Sequence, residues 1–385
     1  MDAKAPNASR YAVVLAQWTT FCDGSACFNL ESMYEPIRAT VRKRAHSFVR
    51  IHGGSVLVEP HAPEHHRALE RELRSLDDVA PPCVFVWLGV GYRRMRFTAA
   101  AVRHSAVPVW SDAISPTAVA RIKQRCKFVY YETEPAPKPN LLSLPFFDAV
   151  WSYSTYHAQF AVSCAAPPRR CEYNFKAGAS EQTPPWSFLP PLFVAQPFRP
   201  SHNNGAPVLL SGTCRAEWER EVAKCGHAPQ WRSHGPVLPD ALRVLGARNA
   251  SSPVGLWTSQ ALGMALENSS IVVNIHKNAC APPHAQPLET VRVSQVLSVG
   301  MIIVSQRCTP ADEELFAGLV DFVNDNDAMW TTVATYARMP PSERRAIGQL
   351  RMQRYRALSE RFSLPPLVGI AHSAPFSQNL PRSHC

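Results

Sequence analysis

Short apolar runs recur along the whole sequence, and each is followed by a polar segment long enough to form a loop and a helix. In the first half the runs lie at 11–16, 83–88, 107–110, 128–131 and 149–152, and in the second at 208–212, 271–275, 301–305 and 319–323. Buried strands of parallel sheets have this apolar character, and helices usually connect them. The sequence therefore predicts an α/β fold built on parallel sheets.

A proline-rich stretch divides the sequence near its middle. Residues 182–207 contain seven prolines, and proline lacks the backbone N–H that helices and central strands need. The stretch therefore predicts an extended linker, and 385 residues are enough for two domains of ordinary size. We predict an N-terminal domain over 1–190, a C-terminal domain over 191–362 and a loose tail over 363–385.

The charge pattern disfavours a nucleic-acid partner. The formal net charge is +10, from 40 Lys and Arg against 30 Asp and Glu, and both halves share the excess. Nucleic-acid interfaces concentrate basic residues in one patch, whereas the basic runs here are short and dispersed. With 46% hydrophobic and 18% charged residues, the chain is predicted to be globular. An anionic small molecule is the favoured partner.

The cysteines and the sequons indicate opposite compartments. None of the eleven cysteines forms a C-x-x-C pair, and Cys83 opens the apolar run 83–88, where a buried free thiol is the simplest interpretation. Asn7, Asn249 and Asn268 begin N-x-S/T sequons, which are glycosylated in secreted proteins. The sequence contains no signal-peptide pattern and no apolar run of about 18 residues. We expect a cytoplasmic protein without a transmembrane segment.

The loops that follow the strands of the second half contain the best candidates for chemistry, because ligands bind at the carboxyl ends of parallel strands. The run 271–275 is followed by polar residues, and Glu289 begins a predicted helix with Arg292 one turn further on. A helix N-terminus offers backbone N–H groups and partial positive charge to a phosphate. The candidates are Ser211, Gly212, Arg215, Asn274, His276, Lys277, Glu289 and Arg292.

The segment 271–323 resembles the C-terminal, donor-binding half of GT-B glycosyltransferases, the group 1-like C-terminal domain. The similar parts are Val299–Gly300 at the helix end, Ile303–Val304–Ser305 in the next strand and the segment 318–323. Residues 131–134, 151–154 and 188–192 are similar to segments of one subgroup of these enzymes. The resemblance therefore covers roughly residues 128–362.

The resemblance implies two Rossmann-like domains of GT-B type with a cleft between them. It also implies transfer of a sugar from a nucleoside-diphosphate sugar to a hydroxyl of a glycan, protein or lipid acceptor. Glu289 would contact the donor sugar or its diphosphate, and Arg292 and Lys277 would offset phosphate charge. Asn274 and His276 would line the sugar pocket, and the loop of Ser211, Gly212 and Arg215 would face the donor. Neither a metal nor another cofactor is expected, because cations and N–H groups stabilise the leaving diphosphate.

Each of these assignments has a simpler alternative. Glu289 could only cap its helix, His276 could be a satisfied half-buried histidine, and Arg292 could form a surface ion pair. The loop that contains Gly212 could be an ordinary βα turn with Thr213 as the helix N-cap.

One position departs from the family pattern. Many of these enzymes have two glutamates with seven residues between them, and the second binds the nucleotide ribose. Gln295 occupies the second position, five residues before Gly300, and Pro287 occupies the first, two residues before Glu289. An amide still accepts a hydrogen bond from a ribose hydroxyl. A catalytically inactive protein that binds glycans or nucleotides is therefore the alternative function.

In the first half, loop carboxylates are candidates for a general base acting on the acceptor hydroxyl if the reaction inverts configuration. Asp23 follows the first apolar run, and Glu132 and Glu134 follow the run 128–131. Solvated loop acids are the simpler interpretation of all three, because charged loop residues usually face water.

Overall fold

The computed structural model describes part of the chain, including most of the predicted strands. The described residues are 11–17, 20–23, 26–29, 35–52, 55–56, 73–88, 116–132, 147–154, 185–194, 200, 207–211, 243–246, 269–276 and 286–365. The predicted strand at 107–110 lies outside these residues.

A six-stranded parallel sheet forms the core of the first half. Its strand order is β4-β1-β6-β7-β8-β9, and all five neighbouring pairs are parallel. The two central strands β6 and β7 are almost wholly buried, which explains why their sequences are continuous apolar runs. The strands are β1 (Ala12–Gln17), β4 (Ser47–His52), β6 (Cys83–Leu88), β7 (Lys127–Glu132), β8 (Ala149–Ser152) and β9 (Trp186–Phe188).

A second parallel sheet is formed by strands from the second half. Its order is β11-β10-β12-β13-β14, again with every described pair parallel. The strands are β10 (Pro207–Ser211), β11 (Arg243–Gly246), β12 (Ile271–Asn274), β13 (Ile302–Gln306) and β14 (Asp321–Val323). The two sheets confirm the predicted α/β class with two parallel-sheet units. The cleft between the units and the exact domain limits stay predictions.

Six further elements in the described part of the first half lie outside these sheets. Strands β2 (Thr20–Asp23), β3 (Ala26–Asn29) and β5 (Ser55–Val56) form a small sheet of their own. Helices α1 (Glu35–Arg44) and α2 (Pro116–Arg125) precede β4 and β7, and a 3₁₀ helix spans Leu73–Asp78.

Helices cover both faces of the second sheet. Val272 and Ile303 pack into one apolar cluster with residues of α3 (Thr290–Ser298) and α6 (Pro341–Glu360). Ile271, Val273 and Val304 pack on the opposite face with α5 (Asn326–Arg338). This division follows from the alternation of side chains along a strand. Helix α4 (Pro310–Leu315) connects β13 to β14.

The proline-rich stretch contains an edge strand as well as extended chain. Its residues 186–188 form β9, which pairs with β8 at the edge of the first sheet. An edge position tolerates the prolines on either side, because only one edge of the strand needs its hydrogen bonds. The linker prediction did not include this strand.

The end of α6 contacts elements of the first half. The buried Tyr355 hydroxyl donates to the Pro191 carbonyl (2.6 Å), and the Arg44 guanidinium of α1 donates to the Ser359 carbonyl (2.9 Å). Burial raises the pKa of the Tyr355 hydroxyl, which therefore stays a donor. Beyond the helix, the Tyr11 hydroxyl donates to the Pro365 carbonyl (2.7 Å), and Leu364 packs into the apolar core of the first sheet.

The interpretation of Cys83 as a free thiol is wrong, because Cys83 forms a disulfide with Cys126. The register of β6 and β7 explains the pairing. Val84 lies opposite Lys127, so the preceding residues of these neighbouring strands are also adjacent, with their Cα atoms 4.7 Å apart. Strand register cannot be read from cysteine spacing, which is why the sequence did not reveal the bond. Among the described cysteines, the free thiol is the buried Cys308.

Candidate functional site

The carboxyl end of β12 and the start of α3 form the centre of the candidate site. Asn274 ends β12, and its amide donates to the Ser305 hydroxyl of β13 (3.0 Å). This bond directs the Asn274 carbonyl oxygen to accept from the Arg292 guanidinium (3.1 Å). The structure thus brings together two residues that the sequence placed on different elements.

Glu289 lies at the N-cap of α3, but its side chain does not cap the helix. The side chain makes no cap hydrogen bond, and one carboxylate oxygen instead lies 2.7 Å from the Arg292 guanidinium. Both side chains are largely buried, at 6% exposed for Glu289 and 14% for Arg292. The simpler interpretations, a capping carboxylate and a surface ion pair, therefore do not describe this pair.

The Glu289 carboxylate keeps its hydrogen-bonding capacity. Neither oxygen accepts a hydrogen bond from the part of the chain that the structure describes, and the Arg292 Nε also has no acceptor there. The Arg292 guanidinium therefore forms an ion pair with Glu289, but the angle of the contact is not that of a hydrogen bond. A buried carboxylate is strongly stabilised by donors, so this one is suited to bind the hydroxyl groups of a ligand.

His276 follows β12, and its ring and its backbone N–H both form hydrogen bonds with residues at the end of β13. Its ring Nε2 lies 2.7 Å from the Arg307 carbonyl oxygen, and its backbone N–H donates to the Gln306 side chain (2.8 Å). Burial lowers the pKa of the imidazole below its ordinary value, although the nearby Glu289 carboxylate acts in the opposite direction. The ring is therefore neutral near pH 7 and does not neutralise phosphate charge.

Gln295, the residue at the second glutamate position, lies inside α3. It is 5% exposed and lies six residues after Glu289 and three after Arg292, on a helix that is buried along most of its length. The spacing of three residues places Gln295 beside Arg292, whereas Glu289 lies on a different part of the helix surface.

The remaining predicted residues lie elsewhere. Glu132 ends β7 and is 3% exposed, so it is a buried carboxylate and not a solvated loop acid. Asp23 ends β2 and Ser211 ends β10. The residues outside the described part of the chain are Gly212, Arg215, Lys277 and Glu134.

Four buried residues that the sequence analysis did not select contribute to this region. Asp312 of α4 accepts from the Leu288 N–H (3.0 Å) and from the Ser154 hydroxyl (3.4 Å). The Thr290 hydroxyl donates to the Tyr153 carbonyl (3.3 Å). One signal in the sequence is the Thr309-x-x-Asp312 pattern of a helix start, and Thr309 does cap α4. That pattern does not indicate that the Asp312 carboxylate turns towards Leu288.

No helix in the described residues has the length and apolar character needed to cross a membrane. The sequence matches no protein-family model and no curated protein.

Solved structures similar to the chain include three bacterial proteins. Sucrose-phosphate synthase from Thermosynechococcus elongatus is 9% identical, with a TM-score of 0.43 over 91% of this chain and 95% of its own. The α,α-trehalose 6-phosphate synthase from Burkholderia multivorans is 10% identical, with a TM-score of 0.43 over 91% and 94%. HepE from Anabaena, in complex with UDP and glucose, is 10% identical, with a TM-score of 0.41 over 90% and 98%.

Proposed function

We propose that the protein is a glycosyltransferase that moves a sugar from a nucleoside-diphosphate sugar to an acceptor hydroxyl without a metal ion. The proposal is supported by the resemblance of the segment 271–323 to GT-B donor-binding halves, and by two parallel sheets whose strand ends are rich in polar side chains. The acceptor is a glycan, a protein or a lipid, bound in a cleft between the two units.

The observation that carries the proposal is the buried pair of Glu289 and Arg292 at the start of α3. The carboxylate is 6% exposed and its charge is balanced by Arg292, but no described residue donates a hydrogen bond to its oxygens, so they can accept hydrogen bonds from donor groups of a ligand. Sugar hydroxyls are such donors, and a cation beside the carboxylate suits the diphosphate to which the sugar is attached.

The reaction needs charge stabilisation on the leaving group. As the bond between the anomeric carbon and the diphosphate oxygen breaks, negative charge develops on the diphosphate. Arg292 and the positive end of α3 stabilise that charge, and Glu289 and Asn274 orient the sugar. His276, which is neutral, contributes hydrogen bonding and shape to the sugar pocket.

The acceptor oxygen attacks the anomeric carbon and loses its proton in the same reaction. Glu132, at the carboxyl end of β7, is the described carboxylate of the first sheet that is best placed to accept this proton in an inverting reaction. In a retaining reaction Glu132 would instead have no role as a base.

The direct test is incubation with UDP-, GDP- and ADP-sugars in the presence of EDTA, with release of nucleoside diphosphate as the readout. We expect slow hydrolysis with at least one donor, and faster release once a suitable acceptor is added. Thermal-shift measurements on the same panel should show stabilisation by that donor. Absence of both release and stabilisation with every donor would contradict the proposal.

Gln295 supports a second candidate, a protein that binds nucleotides or glycans without catalysis. The substitution of a carboxylate by an amide weakens a contact to the ribose, because an amide oxygen is a weaker hydrogen-bond acceptor than a carboxylate. Stabilisation by a nucleotide sugar without any release of diphosphate would favour this binding protein. Restoration of release by Gln295→Glu would identify the amide as the cause.

A further inference from the structure

Asp312 is a buried carboxylate that the proposed mechanism does not use. It is fully buried. Its Oδ2 accepts a hydrogen bond (3.0 Å) from the backbone N–H of Leu288, the residue directly before Glu289 in sequence. The same oxygen lies 3.4 Å from the Ser154 hydroxyl, which follows β8 in the first sheet. One carboxylate oxygen therefore contacts both halves of the chain.

The segment around Glu289 is fixed on both sides. On the N-terminal side, the Thr309 N–H donates to the Gln286 carbonyl (2.9 Å), and Leu288 donates to Asp312. On the C-terminal side, the Thr290 hydroxyl donates to the Tyr153 carbonyl (3.3 Å). The backbone of Glu289 thus lies between two neighbours that are each hydrogen-bonded to groups outside α3.

The partners of Asp312 and Thr290 in the first half, Ser154 and Tyr153, lie in the same loop. Tyr153 and Ser154 follow the carboxyl end of β8, beside the Glu132 end of β7, because Glu132 pairs with Ser152. The loop that follows β8 therefore contacts Thr290 directly and is linked to Leu288 through the Asp312 carboxylate.

We propose that Asp312 is a positioning residue that sets the place of Glu289, and that the Ser154 hydroxyl links this position to the first sheet. The proposal rests on the proposed function, since Glu289 is there the residue that contacts the donor. Catalytic groups need placement within about 0.5 Å, and a charge-assisted bond to the adjacent backbone N–H supplies such a constraint. Asp312 itself does not touch the donor in this arrangement.

The first test measures the position of the segment without turnover. Hydrogen–deuterium exchange of the peptide 286–292 should rise at least about threefold in Asp312→Ala and less in Ser154→Ala, because each removes a hydrogen bond. Asp325→Ala is the matched control, since Asp325 also bonds a backbone N–H, that of Ala328 at 2.7 Å, but on α5. Exchange over 286–292 that is equal in Asp312→Ala, Ser154→Ala and the control would overturn the proposal.

The second test asks whether Asp312 acts through Glu289. Asp312→Ala should lower kcat about tenfold with little change in KM, and Asp312→Asn should restore most of it, because an amide oxygen still accepts from Leu288. If Asp312→Ala does not fold, Ser154→Ala replaces it, with an expected loss of about threefold.

In a Glu289→Gln background, the same substitutions should cause almost no further loss. Equal losses in both backgrounds would show that Asp312 acts independently of Glu289 and would overturn the inference. A wild-type protein that releases no diphosphate from any nucleotide sugar would instead contradict the proposed function, and the exchange measurement would still decide whether Asp312 positions Glu289.

Discussion

The Glu289 carboxylate lies 2.7 Å from the Arg292 guanidinium, one turn further along the same helix. The pair is buried, and Arg292 also donates to Asn274 at the end of β12. A strand end and a helix start are therefore joined through one guanidinium. The first two predictions therefore test Glu289 and Arg292 one at a time.

Glu289→Gln should reduce kcat/KM at least about tenfold, because it removes the charge that orients the donor and balances Arg292 while it preserves the volume of the side chain. Steady-state release of nucleoside diphosphate measures the loss. Glu314→Gln, which changes an exposed carboxylate of α4, is the control and should behave as the wild type. Unchanged turnover in Glu289→Gln would remove Glu289 from the site.

Arg292→Lys should weaken nucleoside-diphosphate binding by about threefold to tenfold although the charge is kept. Lysine offers a point charge on a flexible stem, so it cannot reproduce the planar contacts to Glu289 and Asn274. Isothermal titration calorimetry measures the affinity. Arg338→Lys, on the exposed side of α5, is the control, and equal affinity in both variants would place the diphosphate elsewhere.

His276 should make the folded protein sensitive to acid. Burial lowers its pKa in the folded state, so below about pH 6.5 the unfolded chain binds the proton more readily than the folded chain does. The free energy of unfolding should therefore fall as pH decreases below that value, by at most about 1.4 kcal/mol per pH unit. Above pH 7 the histidine should contribute no such dependence.

The comparison with His276→Gln isolates this effect. Between pH 7 and 8 the melting temperatures of the two proteins should differ by a constant amount, and below pH 6.5 the difference should shift in favour of the variant. His46→Gln, which changes an exposed histidine, should show no shift. A difference that stays constant down to pH 5 would contradict the prediction.

The Cys83–Cys126 disulfide should contribute about 2–4 kcal/mol to stability, because it closes a segment of 43 residues in the unfolded chain. A reductant should lower the melting temperature of the wild type and leave a Cys83→Ala, Cys126→Ala double variant unaffected. Peptide mapping without reduction should identify the linked pair. Alkylation of both cysteines in the native protein would show that the bond is absent.

The sequence predicted the elements whose apolar pattern is strong. The strands at 83–88, 149–152 and 271–274 and the helix over 290–298 were placed to within about one residue, because buried parallel strands form continuous apolar runs. The edge strand β9 was missed, since the prolines on either side of it indicate extended chain and only its pairing with β8 makes it a strand.

The candidate site was predictable only in part, because only contacts between residues close in sequence follow from helical periodicity. Glu289 and Arg292 are three residues apart, so helical periodicity alone placed them side by side. The contacts of Asp312 join residues 24 and 158 positions apart. Cys83 and Cys126 meet through strand register. Such contacts depend on how the helices and strands pack together, and the spacing of residues along the sequence does not show that packing.

Gly300 ends the helix that contains the candidate site, and a side chain at this position should be costly. Its φ is +79°, a left-handed conformation that L-residues rarely adopt, and an added Cβ would lie 3.4 Å from the backbone carbonyl oxygen of Gly348 in α6. Gly318 is in the same situation. Its φ is +72°, and an added Cβ would lie 3.4 Å from the Arg354 guanidinium.

Gly300→Ala and Gly318→Ala should each lower the free energy of unfolding by about 1–2 kcal/mol, because each puts a side chain on a residue in the left-handed conformation. The space around the added methyl group contributes little at either position, since a distance of 3.4 Å is an ordinary van der Waals contact. Thermal and urea denaturation of the two variants measure the losses. A Gly300→Ala variant as stable as the wild type would contradict the left-handed end of the helix that contains Glu289 and Arg292.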